Sequence, residues 1–176
     1  MGRDTESDRQ RELGAPHLPV LLVEVLEWLR IKPDGIYVDV TLGAGGHSAA
    51  IAARLSSGRL ISLDRDAQAL AIARERLKEF ASRVTLVHTA FSRIAEAVQG
   101  LGIAKVDGVL ADLGVSSMRL DQPERGFSFR EAGPLDMRMS SGELAEDELT
   151  AEEIVNRWPE KELADLLYRE AEERDS

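Results

Sequence analysis

The sequence predicts an α/β fold, a doubly wound parallel sheet with helices on both faces. Two observations carry the prediction. Short apolar runs alternate with helical patterns from residue 17 to residue 112, and helices of roughly 10–15 residues suit the crossovers between parallel strands. The first strand runs into DVTLGAGGHS (39–48), a glycine-rich turn at the carboxyl end of a strand, where such sheets hold ligands.

The elements follow in order. HLPVLLVEVLEWL (17–29) puts Val20, Val23, Leu26 and Leu29 near helical spacing and predicts a helix. IYVDV (36–40) is short and β-branched, a strand. HSAAIAARL (47–55) follows the glycines and is rich in alanine, a helix. RLISL (59–63) is the second strand. DAQALAIARERLKEF (66–80) places Leu70, Ala73, Leu77 and Phe80 on one helical face, with Asp66 as its cap. VTLVH (84–88) is the third strand, SRIAEAVQGLG (92–102) a helix ending at glycine, and VDGVLAD (106–112) the fourth strand. From 114 to 143 no period is legible. Two short helices close the chain: TAEEIVNRW, where Thr150 and Glu153 have capping-box spacing, and PEKELADLLYREAEER, opened by Pro159.

Composition narrows the function. No apolar stretch approaches the ~20 residues of a membrane span. There are no cysteines, which excludes disulfides and thiolate metal sites and suits a cytoplasmic location. His17, His47 and His88 lie on three elements without ligand spacing, so no metal is expected. Residues 1–16 are charged, lack the apolar core of a signal peptide and are expected to form a disordered tail. The net charge is −10 and falls unevenly: residues 143–176 carry thirteen acids against four bases. The remainder is close to neutral, so RNA binding is neither excluded nor signalled by a basic patch.

The candidate site collects at strand ends. Gly43, Gly45 and Gly46 let a ligand approach the backbone beside the first turn of a helix. The run Gly43-Ala-Gly-Gly-His-Ser48 ends in serine, so it is a weak dinucleotide fingerprint, and a glycine loop alone is equally well a tight turn. Asp64 ends strand two, 21 residues after Gly43, where an acid accepts from ribose hydroxyls. Capping is the alternative, but Asp66 suits the cap better. Phe91, after strand three, is either an adenine cover or an ordinary core residue. Asp112 ends an apolar strand, where a carboxylate needs a partner. Their convergence on one edge points to a nucleoside-bearing cofactor. A nicotinamide dehydrogenase has Asp64 in its favour and Ser48 against it.

These residues are also familiar as a set. His17-Leu-Pro-Val-Leu-Leu, Asp39-x-Thr-Leu-Gly-x-Gly-Gly-His47, Leu63-Asp-Arg-Asp66, Asp112-Leu-Gly-Val-Ser-Ser117, Leu120-Asp121, Glu124-Arg-Gly-Phe-Ser-Phe129 and Gly133-Pro-Leu-Asp-Met-Arg-Met139 resemble the RsmH (MraW) family of bacterial ribosomal RNA methyltransferases. The resemblance runs from about residue 17 to the end. It implies a class I, Rossmann-like enzyme that uses S-adenosyl-L-methionine to methylate the N4 amine of a cytidine in the decoding region of 16S rRNA. The implied partner is the small ribosomal subunit, and a homodimer is one option for the oligomeric state. The family's cofactor contacts fall on Gly45, Gly46, His47, Asp64, Phe91 and Asp112. One more falls on Arg119, where a glutamine is usual. Arginine cannot accept a hydrogen bond, so that contact is either lost or made to the methionine carboxylate.

The chemistry implied is an in-line displacement from a sulfonium, in which the protein positions and desolvates. The (Asp/Asn)-Pro-Pro-aromatic motif of other amino methyltransferases is missing after strand four, so no catalytic base is assigned. Phe127 and Phe129 either anchor their loop to the core or stack on a flipped-out base, with Arg125 or Arg130 near phosphate. The resemblance implies seven strands, and only four are visible. Residues 17–112 therefore read as the cofactor-binding half and 113–176 as the start of a helical substrate-recognition insertion, which leaves strand four an apolar edge. A cofactor-binding remnant without catalytic activity is the alternative to an active enzyme.

Overall fold

The computed structural model describes residues 19–141 and 148–174; the tail expected over 1–16 lies outside them. Four strands form one sheet: β1 (Ile36–Asp39), β2 (Arg59–Asp64), β3 (Val84–His88) and β4 (Gly108–Leu110), ordered β3-β2-β1-β4 and all parallel. The helices are α1 (Leu22–Leu29), α2 (Gly46–Ala52), α3 (Ala67–Arg76), α4 (Ile94–Gly100), α5 (Ser117–Leu120), α6 (Ala151–Arg157) and α7 (Glu160–Glu170).

Strand pleating sorts the core. Tyr37 and Leu60 face one side, where they pack with Leu26 of α1 and Ile51 of α2. Val38, Ile61 and Leu63 face the other, against Ile94, Ala97 and Val98 of α4. Leu70 and Ala73 of α3 pack with Leu42, Leu77 and Ala49, so α3 lies on the α2 side. Both faces of β1 and β2 are thus covered, and their buried runs follow from that. Each fully buried side chain such as Ile51 or Leu60 contributes about 1.5–3 kcal/mol.

Several boundaries differ from the sequence reading. β4 is three residues long because both of its ends are diverted. Asp107 turns its carboxylate to the Ile36 N–H (2.9 Å) and to Lys32 (2.8 Å), and the Asp112 N–H leaves the ladder for the Thr41 hydroxyl. The stretch after β4 is more ordered than its lack of period suggested: it contains α5 and a 3₁₀ turn at Pro123–Arg125, both too short to show amphipathicity. The Thr150–Glu153 capping box forms as read. Val109, Leu113 and Val115 are exposed beside the β4 edge.

Candidate functional site

A cleft of about 560 Å³ opens at the carboxyl ends of β1, β2 and β4. Its floor is the loop after β1. The Gly43 N–H donates to Asp64 Oδ2 (2.8 Å) and ties that loop to the end of β2. Gly46 lines the cleft, and a Cβ there would lie 2.5 Å from Pro19 Cγ, so only glycine lets that ring close the wall. Gly45 does something else. Its φ is +79°, its N–H goes to the Leu42 carbonyl (2.8 Å), and its Cα faces Ala73 of α3. It shapes the turn and lets α3 approach, and it is the one predicted position that does not line the cleft.

His47, in the first turn of α2, is buried in the cleft wall. Its Nε2 lies 2.9 Å from the Val20 carbonyl, an acceptor only, so Nε2 carries a proton. Its Nδ1 is 3.9 Å from an Asp112 carboxylate oxygen. Asp112 itself is half exposed, and its N–H donates to Thr41 Oγ1 (2.8 Å). Phe91 is 50 % exposed and lines the same cleft, so it is not a core residue. His47, Asp64, Phe91, Asp112 and Arg119 are brought together, from five separate segments.

Beneath α2 lies a polar network that sequence reasoning missed. Asp39, Ser48 and Ser62 are fully buried. Ser48 Oγ donates to Asp39 Oδ2 (2.7 Å) and sits 2.8 Å from Ser62 Oγ. Ser48 has one proton, so Ser62 must be the donor to Ser48. Asp39 Oδ1 accepts from the Thr41 N–H (3.0 Å) and hydroxyl (3.4 Å). Burial pushes the Asp39 carboxyl up, and Ser48, the Thr41 amide, His47 and the Thr41 hydroxyl offset that only in part. The Asp39-x-Thr41 spacing of an Asx turn was the available signal.

A second network joins the segment after β4 to the start of α3. Asp66 caps α3 as read, accepting from the Gln68 N–H (3.0 Å). It also accepts from Arg119 Nε (3.2 Å), Arg125 Nη1 (2.9 Å) and the Ser141 hydroxyl. Burial pushes its carboxyl up, but Ser141, Arg125, the Gln68 amide and Arg119 together hold it below the usual range. Arg125 Nη2 reaches the carbonyls of Arg138 (3.0 Å) and Ser140 (3.2 Å). Arg125 is therefore a clamp and is not free for phosphate. The two phenylalanines part company: Phe127 is buried and anchors the loop, whereas Phe129 is wholly exposed. Arg130 is exposed beside it. No group of three or more His, Cys, Asp or Glu that could hold a metal occurs among the described residues, and no helix there is long and apolar enough to cross a membrane.

Residues 14–176 match the model of the MraW methylase family. The chain belongs to that family. The Ribosomal RNA small subunit methyltransferase H of Sorangium cellulosum (strain So ce56) is 53 % identical over 166 residues, covering 94 % of this chain and 51 % of that protein. The protein of the same name from Heliobacterium mobile is 50 % identical over 160 residues, covering 90 % and 50 %. The chain thus spans about half the length of the curated relatives it matches. Solved structures overlap less: an rRNA methylase from Streptococcus thermophilus aligns with 48 % of this chain at a TM-score of 0.41 and 22 % identity, so family membership rests on sequence. Four parallel strands with helices on both faces have the class I methyltransferase architecture expected of that family.

Proposed function

We propose that the cleft binds S-adenosyl-L-methionine and that the chain is the cofactor-binding part of an enzyme methylating the N4 amine of a cytidine in 16S rRNA. The observation that carries the reading is the convergence of His47, Asp64, Phe91 and Asp112 on one cleft at the strand ends. The names of the relatives supply the substrate class.

The residues present fit the cofactor. Asp64 lines the cleft and its carboxylate can accept from a ribose hydroxyl, and the half-exposed ring of Phe91 can cover adenine. The glycine turn after β1 lets backbone approach the ligand. When bound, the cofactor supplies an activated methyl group. The chain's part is to orient, exclude water and hold the target amine in line. That amine is a weak nucleophile because its lone pair is delocalised into the ring. An acceptor for its N–H would help, and Asp112, fixed through Thr41, stands at the cleft wall; no base is assigned. The exposed Phe129 and Arg130 are the RNA-facing pair of their loop, since Phe127 and Arg125 are committed to anchoring it.

The test has two arms. Calorimetric titration of S-adenosyl-L-methionine into the chain should show binding that Asp64→Ala weakens by about 1–3 kcal/mol; unchanged affinity sinks the ribose assignment. Radiolabelled methyl transfer to small subunits lacking the modification is then compared between this chain and a family-length protein. Binding without transfer by the 176-residue chain is expected. Turnover by that chain alone would put the whole substrate site within 113–176.

A further inference from the structure

Arg119 lines the cleft from α5, and its surroundings decide between the two roles left open for it. The residue is only 6 % exposed. It lies between two buried carboxylates: Nε is 3.2 Å from Asp66 Oδ2 and Nη2 is 3.4 Å from Asp64 Oδ1. Arg125 makes the second ion pair to Asp66. Two arginines thus meet two aspartates, and the cluster is neutral as it stands. A methionine carboxylate added to it would find no unbalanced positive charge.

What Arg119 changes is the acceptor capacity of Asp64. A carboxylate offers about four lone-pair sites. On Oδ1 one site takes the Asp66 N–H (2.9 Å) and the other faces Arg119 Nη2. On Oδ2 one site takes the Gly43 N–H (2.8 Å). One site is left. Resting on the cofactor reading above, we propose that Arg119 is a specificity-determining residue that limits Asp64 to a single ribose hydroxyl. With glutamine at this position the second site is open and both hydroxyls can be held. Arg119 also ties α5 to the β2–α3 junction, so the same side chain that restricts the ribose contact holds the segment after β4 against the cleft.

The experiment measures binding of S-adenosylhomocysteine and of its 2′-deoxy and 3′-deoxy forms to the wild-type chain and to Arg119→Gln. In the wild type one deoxy form should bind about tenfold more weakly and the other almost as well as the parent, because one hydroxyl bond to a charged acceptor is at stake. In Arg119→Gln both deoxy forms should lose about tenfold against the parent. Equal losses for both forms in the wild type would mean that Arg119 leaves Asp64 when ligand arrives, and the proposal falls while the cofactor reading stands. No loss for either form would remove the ribose contact itself. No binding of the parent compound would overturn both readings. The wild-type comparison decides the matter even where the variant does not fold.

Discussion

Replacing Ser48 with alanine tests the buried network under α2. The substitution removes the hydroxyl that donates to Asp39 Oδ2 at 2.7 Å and deprives the Ser62 hydroxyl of its acceptor. All three residues are fully buried, so water cannot readily replace what is lost. A hydrogen bond to a charged acceptor contributes about 1.5–3 kcal/mol, and the stranded Ser62 hydroxyl adds about 1 kcal/mol. The expected cost is therefore about 2–4 kcal/mol at neutral pH, a fall in Tm of roughly 5–15 °C for a chain of this length. Acid should shrink that cost. The folded pKa of Asp39 lies above its ordinary 3.8. Its contribution is therefore complete below the ordinary value and is lost as pH rises through the folded one. Removing Ser48 raises the folded pKa further, so the gap between variant and wild type is widest at neutral pH and narrows towards about pH 4. Denaturant titration at both pH values measures it. A gap below about 0.5 kcal/mol at neutral pH, or one that does not change with pH, would refute the assigned donor directions and the coupling of Ser48 to the Asp39 carboxyl.

Phe127→Ala should destabilise the chain by about 3–5 kcal/mol, whereas Phe129→Ala should stay within about 0.5 kcal/mol, because one ring is buried and the other is in solvent; equilibrium unfolding compares the two, and equal losses would contradict their placement. Asp66→Asn should cost about 3–5 kcal/mol at neutral pH by leaving Arg119 and Arg125 short of a counter-charge. The folded pKa of Asp66 is lowered, so the stability it adds is present above 3.8 and lost as pH falls through the folded value. The variant should accordingly lose less than wild type on acidification, and an identical acid limb in unfolding curves would argue against the ion-pair cluster.

Much of this architecture is legible in the chain because it is local. The short strand runs at 36–40 and 59–63, the Asp66 cap and the Thr150–Glu153 box each involve residues within a few positions of one another, and each forms. Asp64 and Asp112 were readable because strand ends are where such folds present polar groups. The Arg119 and Arg125 pairs to Asp66 span 53 and 59 residues, and nothing in the intervening sequence announces them. Phe127 and Phe129 are two apart in a segment that is not a strand, so spacing cannot say which is buried. Gly45 stands in the glycine run, but the neighbour its turn accommodates, Ala73, arrives from α3 and could not be read from that run.

Synthesis delivers β1 before either of its neighbours. β2 can pair on one side as soon as α2 has been made, but the other side waits for residues 108–110, and the Asp112 N–H that closes on Thr41 trails it by 71 positions. Until then a nascent chain has three strands, part of a cleft and β1 as a bare edge. The capacity to hold a ligand therefore arrives late and abruptly, at a chain length fixed by β4, and a stalled or clipped product short of residue 112 would carry the glycine turn without the wall that makes it useful.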